Sequence, residues 1–300
     1  MYRAKSSGEG GYAIYDPKMH ARLVHRLQLE ADLRRALEFD ELDIHYQPTV
    51  ALATGTITGF EALVRWQHPT RGLMMPDQFI PLAEETGLIR PLGRWVLENA
   101  CRELARWRAE YDFPWLTVSV NLSGYQLHHS SLVADVSAAL AASGLPAHCL
   151  VLEMTESVLM DHSEENLELL GALKENGVRL AIDDFGTGYS SLSYLHRFPV
   201  DILKIDRSFV ERLGASTGDS ELVGTIVRLG QSLRMTTIAE GVEEIEQVRV
   251  LRGLGCELAQ GFLYSRPMRV DAVEDQLRAG MPRFPVALDE GEPATADAAA

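Results

Sequence analysis

The sequence predicts an α/β fold in which eight strands close into a (β/α)8 barrel. From residue 44 onward, short β-rich runs alternate with longer amphipathic stretches of helical period. This alternation is typical of parallel strands joined by helices. Eight strand candidates within about 230 residues match the size of a closed barrel. An open doubly wound sheet is the alternative, but no glycine-rich dinucleotide or Walker motif follows any strand candidate.

The strand candidates follow one another at the spacing that helical connections require. They are Ile44–Val50, Ile57–Trp66, Leu116–Val120, Leu150–Met154, Val178–Ile182, Ile202–Ile205, Thr236–Ala239 and Glu257–Ala259. The predicted helices between them cover residues 77–86, 90–111, 130–143, 163–176, 219–233 and 243–253. A further helix over residues 19–43 is expected to precede the barrel. Its apolar stripe consists of Leu23, Leu27, Leu33 and Leu37.

The two ends of the chain differ in composition from the region between them. Residues 1–18 begin rich in Gly and Ser and are interpreted as the tail of a preceding unit, followed by the linker or packing helix of residues 19–43. The barrel is expected over residues 44–282. Residues 283–300 are rich in Pro, Ala and acidic side chains, a composition that predicts disorder.

The chain carries a strong excess of negative charge. Its 300 residues contain 28 Lys and Arg against 43 Asp and Glu, which gives a formal net charge of −15. Broad binding to nucleic-acid polymers requires a basic surface, so this class of partner is excluded. A small anionic ligand, held by local groups or metal ions, remains compatible with the charge.

Cysteine usage and hydropathy predict a cytoplasmic location. Cys101, Cys149 and Cys256 are isolated in the sequence, which fits a reducing compartment better than a disulfide framework. The longest apolar runs fall short of the ~18 residues that a membrane helix needs. The N-terminal residues lack the apolar core of a signal peptide. We therefore expect no membrane contact by this segment, although the parent protein could be membrane-attached.

Polar residues stand at the C-terminal ends of the predicted strands. They are Glu61, Asn121, Glu153, Asp183, Asp184, Lys204, Asp206, Glu240 and Gln260. Any one of them could be a helix cap, but Glu, Lys and Gln are not preferred capping residues, and seven strands share the pattern. The C-terminal strand ends of such a barrel converge on one mouth, which is where barrel enzymes hold their active sites. The set as a whole predicts an active site.

The alternation of side chains along each strand sharpens this prediction. Lys204 shares a face with Ile202, and Asp183 shares one with Ala181, because side chains alternate with period two. The polar ends are therefore expected to point into the barrel, with the bulky apolar residues facing the helices. Asp183 and Asp184 are adjacent and can both face the site only where the strand breaks. The glycines that follow are expected to supply that break.

The predicted donor set favours hard metal ions. Carboxylate and amide oxygens without Cys or His suit Mg²⁺ or Mn²⁺ better than Zn²⁺. Several carboxylates in one mouth would repel one another without cations. Their number predicts two ions, an arrangement used for phosphoryl chemistry. Lys204 could be an exposed lysine, but its inward position favours a role beside the reacting phosphate or water.

Eight sequence motifs resemble those of the EAL-domain family, in order and over about residues 25–280. They are Tyr46-Gln47-Pro48, Glu61-Ala62-Leu63-Val64-Arg65-Trp66, Val120-Asn121-Leu122-Ser123, Glu153-Met154-Thr155-Glu156, the Asp183–Leu192 run DDFGTGYSSL, Leu203-Lys204-Ile205-Asp206, Ala239-Glu240-Gly241-Val242-Glu243, and Gln260-Gly261-Phe262 followed by Pro267. The resemblance implies a TIM-type barrel whose first strand is antiparallel to the rest. It also implies hydrolysis of the bacterial messenger cyclic di-GMP to linear 5′-pGpG.

The resemblance implies a role for each predicted site residue. It implies one metal ion bound by Glu61, Asn121, Glu153 and Asp183. Asp183 would bridge to a second ion bound by Asp184, so that two Mg²⁺ or Mn²⁺ ions are expected. Lys204 resembles the lysine that holds the nucleophilic water, and Glu240 the proposed general base or metal-site residue. Together with the ligand Glu61, these two are the expected catalytic residues.

Other positions are implied to bind substrate or to support the site. Substrate contacts are expected from Gln47, Arg65 and Gln260. Supporting roles are expected from Glu156, which would hold the loop after Asp184 and link the site to a dimer interface, and from Asp206 and Glu243.

The resemblance also implies partners and leaves alternatives open. Residues 1–11 resemble the end of a GGDEF domain, so the chain is expected to be the C-terminal part of a tandem GGDEF–EAL protein and to form a homodimer. The alternative function is a regulatory module that binds cyclic di-GMP without cleaving it. An unrelated metal-dependent barrel, such as an aldolase or sugar isomerase, would require the resemblance to be accidental.

Overall fold

The computed structural model describes residues 17–128, 131–159, 164–187, 197–213 and 217–284. These residues form the strands β1 Leu42–Ala51, β2 Ile57–His68, β3 Gly72–Met74, β4 Thr117–Asn121, β5 Leu150–Thr155, β6 Arg179–Phe185, β7 Ile202–Ile205, β8 Thr236–Ala239 and β9 Leu258–Ala259. They form the helices α1 Pro17–Ala36, α2 Ile80–Thr86, α3 Ile89–Tyr111, α4 Gly124–Leu127, α5 Leu132–Ser143, α6 Glu156–Leu159, α7 Glu164–Glu175, α8 Arg207–Val210, α9 Thr217–Ser232, α10 Ile245–Gly253 and α11 Val270–Arg278. The predictions for residues 1–16 and 285–300 lie outside this range.

Eight of the strands in the described part of the chain close into a barrel. Their order is β1, β9, β8, β7, β6, β5, β4, β2, and the pairing of β1 with β2 completes the circle. β1 is antiparallel to both neighbours, whereas the other neighbouring barrel strands are parallel. Because β1 and β2 are antiparallel, a short turn over residues 52–56 joins them without a crossover helix. The predicted (β/α)8 barrel with an antiparallel first strand is confirmed.

The sequence prediction missed the strand β3, the helix α11 and the one-turn helices α4, α6 and α8. β3 is a three-residue strand that pairs with the end of β2 as a hairpin and lies outside the barrel circle. It is too short to show a period-two pattern. Helix α11 follows the last barrel strand and buries only Val273 and Leu277 among its residues. Two buried positions on a polar helix leave a weak periodic signal.

The N-terminal helix differs from its predicted form. It ends at Ala36 rather than at residue 43, and β1 begins at Leu42. Leu33 is buried as predicted, but Leu27 is 57% exposed. Leu29, Leu33 and Ala36 form the buried side, and they pack with Trp66 and Phe79 at the end of β2 and before α2. The predicted stripe was wrong at Leu27, because in the part of the helix whose burial is described the buried apolar side begins only at Leu29.

Polar and apolar layers alternate inside the barrel. Val151, Ala181, Ile202 and Ile238 form a separate buried cluster with Leu258 packed against it. Each stands two positions before a predicted site residue on its strand or directly after it: Glu153, Asp183, Lys204, Glu240 and Gln260. Side chains two apart share a face, so the apolar cluster forms the floor of the polar mouth. The prediction that the polar ends point inward is therefore confirmed for these strands.

The outward faces of the strands build the main hydrophobic core against the helices. Leu152, Leu180 and Leu203 are fully buried in it, as are Leu104 and Trp107 of α3. Burying each such side chain stabilises the fold by about 1.5–3 kcal/mol, so this layer holds the strands in register. Among the described residues, no helix is both long and apolar enough to cross a bilayer.

The break that lets Asp183 and Asp184 share the site lies inside β6. The register with β7 shifts between Ile182 and Phe185, and Asp184 has a φ of 55°. A bulge of this kind turns two consecutive side chains toward the same face, and Asp tolerates the left-handed backbone better than most residues. The prediction that the following glycines supply the break was wrong, because the strand continues to Phe185 before Gly186.

Candidate active site

The C-terminal ends of the barrel strands meet at a mouth where Lys204 lies among four carboxylates. Lys204 Nζ is 2.6 Å from Glu153 Oε2 and 2.6 Å from Glu240 Oε1. It is 3.2 Å from Asp183 Oδ1 and 3.5 Å from Glu61 Oε2. The lysine is only 1% exposed. The structure therefore brings together five of the predicted site residues in one buried ionic cluster.

Amide side chains hold Glu61 in place. Asn121 Nδ2 donates to Glu61 Oε1 at 2.7 Å, and Gln260 Nε2 donates to Glu61 Oε2 at 2.7 Å. Gln260 Nε2 also lies 3.1 Å from Gln47 Oε1, and Gln47 Nε2 donates to the carbonyl of Ser265 at 3.2 Å. The two donors to Glu61 come from β4 and the segment after β9, and Gln47 of β1 accepts from one of them, so the closure of the barrel orients the Glu61 carboxylate.

One lysine cannot balance the negative charge of this cluster. Burial raises the pKa of Glu153 to about 8. The nearby charges of Glu61 and Asp183 also raise this pKa, whereas Lys204 lowers it. Burial likewise raises the pKa of Glu240 well above its usual range. Although burial acts to raise the pKa of Glu61, Lys204 and the two amide donors outweigh it, so that this pKa is lowered. The site holds carboxyl groups that bind protons unless a cation replaces them.

The carboxylates that could share one cation stand at the outer side of the cluster. Ligand oxygens of Asp183, Asp184 and Glu240 all lie within 4.8 Å of one another. Burial, together with the charges of Asp183 and Asp206, raises the pKa of Asp184 to about 6. Carboxylate groups that repel one another at this spacing are typical of sites for hard divalent cations.

Glu156 contacts the strand end that carries the two aspartates. It is 2% exposed, and its Oε2 accepts a hydrogen bond from the backbone N–H of Gly186 at 2.9 Å. This bond stabilises the chain directly after Asp184. The remainder of the predicted loop, residues 188–192, lies outside the described residues, so its link to a dimer interface stays a prediction.

The other predicted site residues lie at the edges of the mouth. Asp206 caps helix α8, where its carboxylate accepts from the backbone N–H of Ser208 at 3.0 Å. Arg65 is buried, donates to the carbonyl of Val64 at 2.9 Å and lines neither of the cavities described below. Glu243 lies at the rim with its side chain 44% exposed. The substrate contact predicted for Arg65 stays a prediction.

A cavity of about 250 Å³ opens above the cluster. Its walls are formed by Gln47, Glu61, Leu63, Asp183, Arg207, Glu240, Gly241, Glu243, Gln260, Gly261 and Phe262. Sequence reasoning did not single out Leu63, Arg207, Gly241, Gly261 and Phe262 as wall residues. Arg207, Gly241 and Gly261 each directly follow a predicted site residue. Three of these five wall residues could therefore have been predicted by including the position directly after each predicted site residue.

A second, more apolar cavity of about 380 Å³ adjoins the first at Leu63. Its wall includes Pro76, Ile80 and Leu92, and it also reaches Asn121 at the end of β4. The mouth therefore consists of an acidic compartment beside an apolar one, which suits an elongated ligand with both charged and flat apolar parts.

Comparisons with known proteins relate this site to one family. The family model described as the EAL domain matches residues 30–267. The chain is 47% identical over 268 residues to the bifunctional diguanylate cyclase/cyclic di-GMP phosphodiesterase MucR of Pseudomonas aeruginosa, covering 89% of this chain and 39% of that protein. It is 46% identical over 279 residues to the cyclic di-GMP phosphodiesterase NbdA of the same organism, covering 93% of this chain and 36% of that protein. The chain thus spans less than two fifths of either relative.

Solved structures agree with these sequence matches. The structure of the MucR phosphodiesterase in complex with c-di-GMP superposes with a TM-score of 0.78 at 46% identity and covers 82% of this chain and 99% of that one. The EAL domain of FimX from Pseudomonas aeruginosa bound to c-di-GMP superposes with a TM-score of 0.72 at 26% identity. The superposition covers 78% of this chain and 93% of the FimX chain. On the family match and these similarities together, the chain belongs to the EAL domain family.

Proposed function

We propose that this chain is a metal-dependent phosphodiesterase that hydrolyses cyclic di-GMP to linear 5′-pGpG. The observation that carries the proposal is the buried Lys204, within 3.5 Å of four carboxylates, of which Glu61, Asp183 and Glu240 line an open cavity. A barrel has no structural need for such an unbalanced buried cluster, whereas phosphodiester hydrolysis uses positioned charge and a proton acceptor. MucR and NbdA, the relatives at 46–47% identity, bear phosphodiesterase names, which supports the assignment.

The donor set fits Mg²⁺ or Mn²⁺. We propose that two ions are held by Glu61, Asn121, Glu153, Asp183, Asp184 and Glu240. All six side chains offer oxygen ligands, and the amide nitrogen of Asn121 already donates to Glu61, which leaves its Oδ1 for an ion. When bound, such ions supply charge that stabilises the phosphate and lowers the pKa of a water molecule.

The residues of the chain supply the positioning and the proton transfer. Lys204 is locked in place by its carboxylate contacts and donates hydrogen bonds to the attacking water or to a phosphate oxygen. Glu240, 2.6 Å from Lys204, takes the proton of that water. The water oxygen forms a bond to phosphorus, the P–O3′ bond breaks, and O3′ leaves with a proton taken from a solvent water molecule, while Glu240 returns the proton it accepted to solvent. The product carries a 5′-phosphate, which matches pGpG.

The two cavities fit the shape of the substrate. A cyclic dinucleotide places two phosphodiesters between two purine bases. The acidic cavity holds the reacting phosphodiester, and Phe262 at its rim offers an aromatic ring that is 41% exposed for stacking with a base. The apolar cavity beside Leu63 accepts the second base.

The biological setting is also proposed from the family. We expect a homodimer formed through the barrel, upstream GGDEF or sensor domains in the parent protein, and a cytoplasmic site of action. The excess of acidic residues still argues against nucleic-acid polymers as partners.

A product assay tests the function. The protein is incubated with cyclic di-GMP in Mg²⁺, in Mn²⁺ and in EDTA, and the products are separated by chromatography. We expect pGpG with either ion and none in EDTA. Tight binding of cyclic di-GMP without any pGpG, over a full range of both ions, would instead identify a receptor that signals without cleavage.

A further inference from the structure

A chain of side-chain amides connects the rim of the acidic cavity to the carboxylate of Glu61. Gln47 Nε2 donates to the backbone carbonyl of Ser265 at 3.2 Å, and Gln47 Oε1 accepts from Gln260 Nε2 at 3.1 Å. The same Gln260 nitrogen donates to Glu61 Oε2 at 2.7 Å. β1, β2 and the segment after β9 are therefore joined by three consecutive hydrogen bonds.

The direction of each bond in this chain is fixed by the two ends. The carbonyl of Ser265 can only accept, so it takes a hydrogen from Gln47 Nε2 and leaves Gln47 Oε1 facing Gln260. An ionised carboxylate also only accepts, so Glu61 requires the amide nitrogen of Gln260. If the Gln47 amide were turned around, its nitrogen would face the nitrogen of Gln260 and its oxygen would face the carbonyl of Ser265. Only one orientation of the two amides satisfies all three bonds.

The end of the chain at Ser265 is itself held in place. The backbone N–H of Ser265 donates to the carbonyl of Gly261 at 3.2 Å, which closes a turn over residues 261–265. This turn lies directly against the segment after β8, because a Cβ added to Gly261 would overlap the backbone oxygen of Val242. Beyond the turn, Tyr46 and Met268 exchange two backbone hydrogen bonds, at 2.7 and 2.9 Å. The acceptor of the Gln47 amide therefore has a fixed position beside β1.

Burial makes the two amides depend on each other. Gln47, Gln260 and Glu61 are all buried, so water does not readily replace a lost partner. Without the Gln47 oxygen, the amide of Gln260 would lose the acceptor that fixes its orientation. Glu61 would then lose a firm donor to Oε2 and keep only the bond from Asn121 to Oε1. The orientation of the Glu61 carboxylate therefore depends on a residue that does not touch it.

We propose that Gln47 is a positioning residue, which acts through Gln260 to orient Glu61 as a metal ligand. The resemblance implies a substrate contact for Gln47, but both polar atoms of its amide already have partners within the protein. Groups that orient a metal ligand from outside the coordination sphere change metal affinity when they are removed. This inference rests on the proposed metal-dependent function and adds the residue that prepares one of its ligands before substrate binds.

The test measures Mg²⁺ binding in the absence of substrate. Calorimetric titration with Mg²⁺ compares the wild type with Gln47→Met, Gln260→Met and the double variant, and circular dichroism checks that each is folded. We expect Gln47→Met to weaken Mg²⁺ binding about tenfold and Gln260→Met to weaken it at least as much. Because Gln47 acts through Gln260, the double variant should bind Mg²⁺ no more weakly than Gln260→Met. The control Gln231→Met, which removes an exposed amide that donates to the carbonyl of Gly255, should bind Mg²⁺ as the wild type does.

Kinetics separate positioning from a substrate contact. At saturating Mg²⁺, Gln47→Met should keep the wild-type KM for cyclic di-GMP, whereas at limiting Mg²⁺ its turnover should be lower than that of the wild type. A raised KM together with wild-type Mg²⁺ affinity would identify a substrate contact and overturn the inference. Independent, additive losses of Mg²⁺ affinity in the double variant would overturn it as well.

Two further provisions keep the test decisive. If Gln47→Met does not fold, Gln47→Ala replaces it, because the atoms removed would leave space continuous with the cavity that Gln47 lines. Wild-type Mg²⁺ binding with unchanged affinity in both Gln47 variants would overturn the inference and leave the proposed function standing. A wild-type protein that binds no Mg²⁺ would overturn both the inference and the metal dependence of the proposed function.

Discussion

Each end of the barrel holds a lysine that binds carboxylate, but the N-terminal lysine contacts one carboxylate and the C-terminal lysine four. At the N-terminal end, Lys174 Nζ contacts both oxygens of Asp201, at 2.7 and 2.8 Å, and both side chains are about one third exposed. Asp201 also accepts from the backbone N–H of Leu180 at 2.8 Å, which ties the strand entrances together. At the C-terminal end, the fully buried Lys204 faces four carboxylates.

The difference lies in charge balance. One lysine with one carboxylate, both reached by solvent, forms a neutral pair that stabilises local structure modestly. One buried lysine among four carboxylates leaves negative charge that only protons or added cations can balance. Imbalance of this kind destabilises the empty fold and is therefore a sign of a binding or catalytic site. The two lysines provide matched positions for testing this comparison.

The largest effect is expected from Lys204→Met, which removes the charge but keeps much of the side-chain volume. We expect turnover of cyclic di-GMP to fall by about 10³-fold, because Lys204 supplies the positive charge that faces the water or phosphate. Turnover is measured by pGpG formation, and circular dichroism checks that the variant folds. The matched control Lys174→Met should keep wild-type turnover. A folded Lys204→Met protein with undiminished activity would remove the basis of the comparison.

The next effect is the stabilisation by Mg²⁺. At a concentration of 100 times the Kd, binding should raise the free energy of unfolding by about 2.7 kcal/mol and increase Tm by several degrees. Differential scanning calorimetry in EDTA and in Mg²⁺ measures the shift. Lys174→Met should show the same shift as the wild type. Identical Tm values with and without ions would mean that the carboxylates are balanced by protons alone.

This stabilisation should grow with pH. Without ions, the raised pKa values of Glu153 (about 8) and Asp184 (about 6) make the folded state bind more protons than the unfolded state. The contribution of Glu153 and Asp184 to the free energy of unfolding without divalent ions therefore falls as the pH rises from about 5 to about 8. Ions compete with the same protons, so they bind more tightly at the higher pH. The difference in Tm between Mg²⁺ and EDTA should be greater at pH 8 than at pH 5.5, and a smaller difference at pH 8 would contradict this linkage.

A smaller effect is expected from Glu156→Gln. This change replaces the carboxylate that accepts from Gly186 N–H with a neutral amide, which weakens a bond that positions the end of β6. We expect about a tenfold loss of kcat together with weaker Mg²⁺ affinity, as is usual for groups that orient metal ligands. Measuring turnover over a range of Mg²⁺ concentrations separates the loss of kcat from the loss of Mg²⁺ affinity. Unaltered Mg²⁺ dependence would show that this bond does not position the aspartates.

The smallest effect is the loss of stability in Lys174→Met. Because the ion pair is partly exposed and Asp201 keeps its backbone donor, the free energy of unfolding should fall by only about 0.5–1 kcal/mol. Urea denaturation measures the change. A loss of several kcal/mol would place this pair among the main stabilising contacts of the barrel and weaken the contrast between the two ends.

Much of the fold could be predicted because strands and helices leave local periodic signals. Ile202–Ile205 and Thr236–Ala239 are short and contain β-branched residues, and they form strands with the predicted bounds. The three-residue strand β3 could not be predicted, since it exists only through pairing with β2. The exposure of Leu27 was also hidden, because periodicity shows that a helix has an apolar side but not where its partner ends.

The sequence by itself determined which residues stand at the strand ends and which face they share, because period-two alternation is a local property of the chain. It thereby identified Glu61, Glu153 and Lys204 as members of one site. Only the tertiary structure decided the bulge at Asp184, the amide hydrogen bonds to Glu61 and the pairing of Arg207 with Glu243. These features join residues from different strands or depend on register, and barrel closure sets their distances. Local sequence carries no record of such distances.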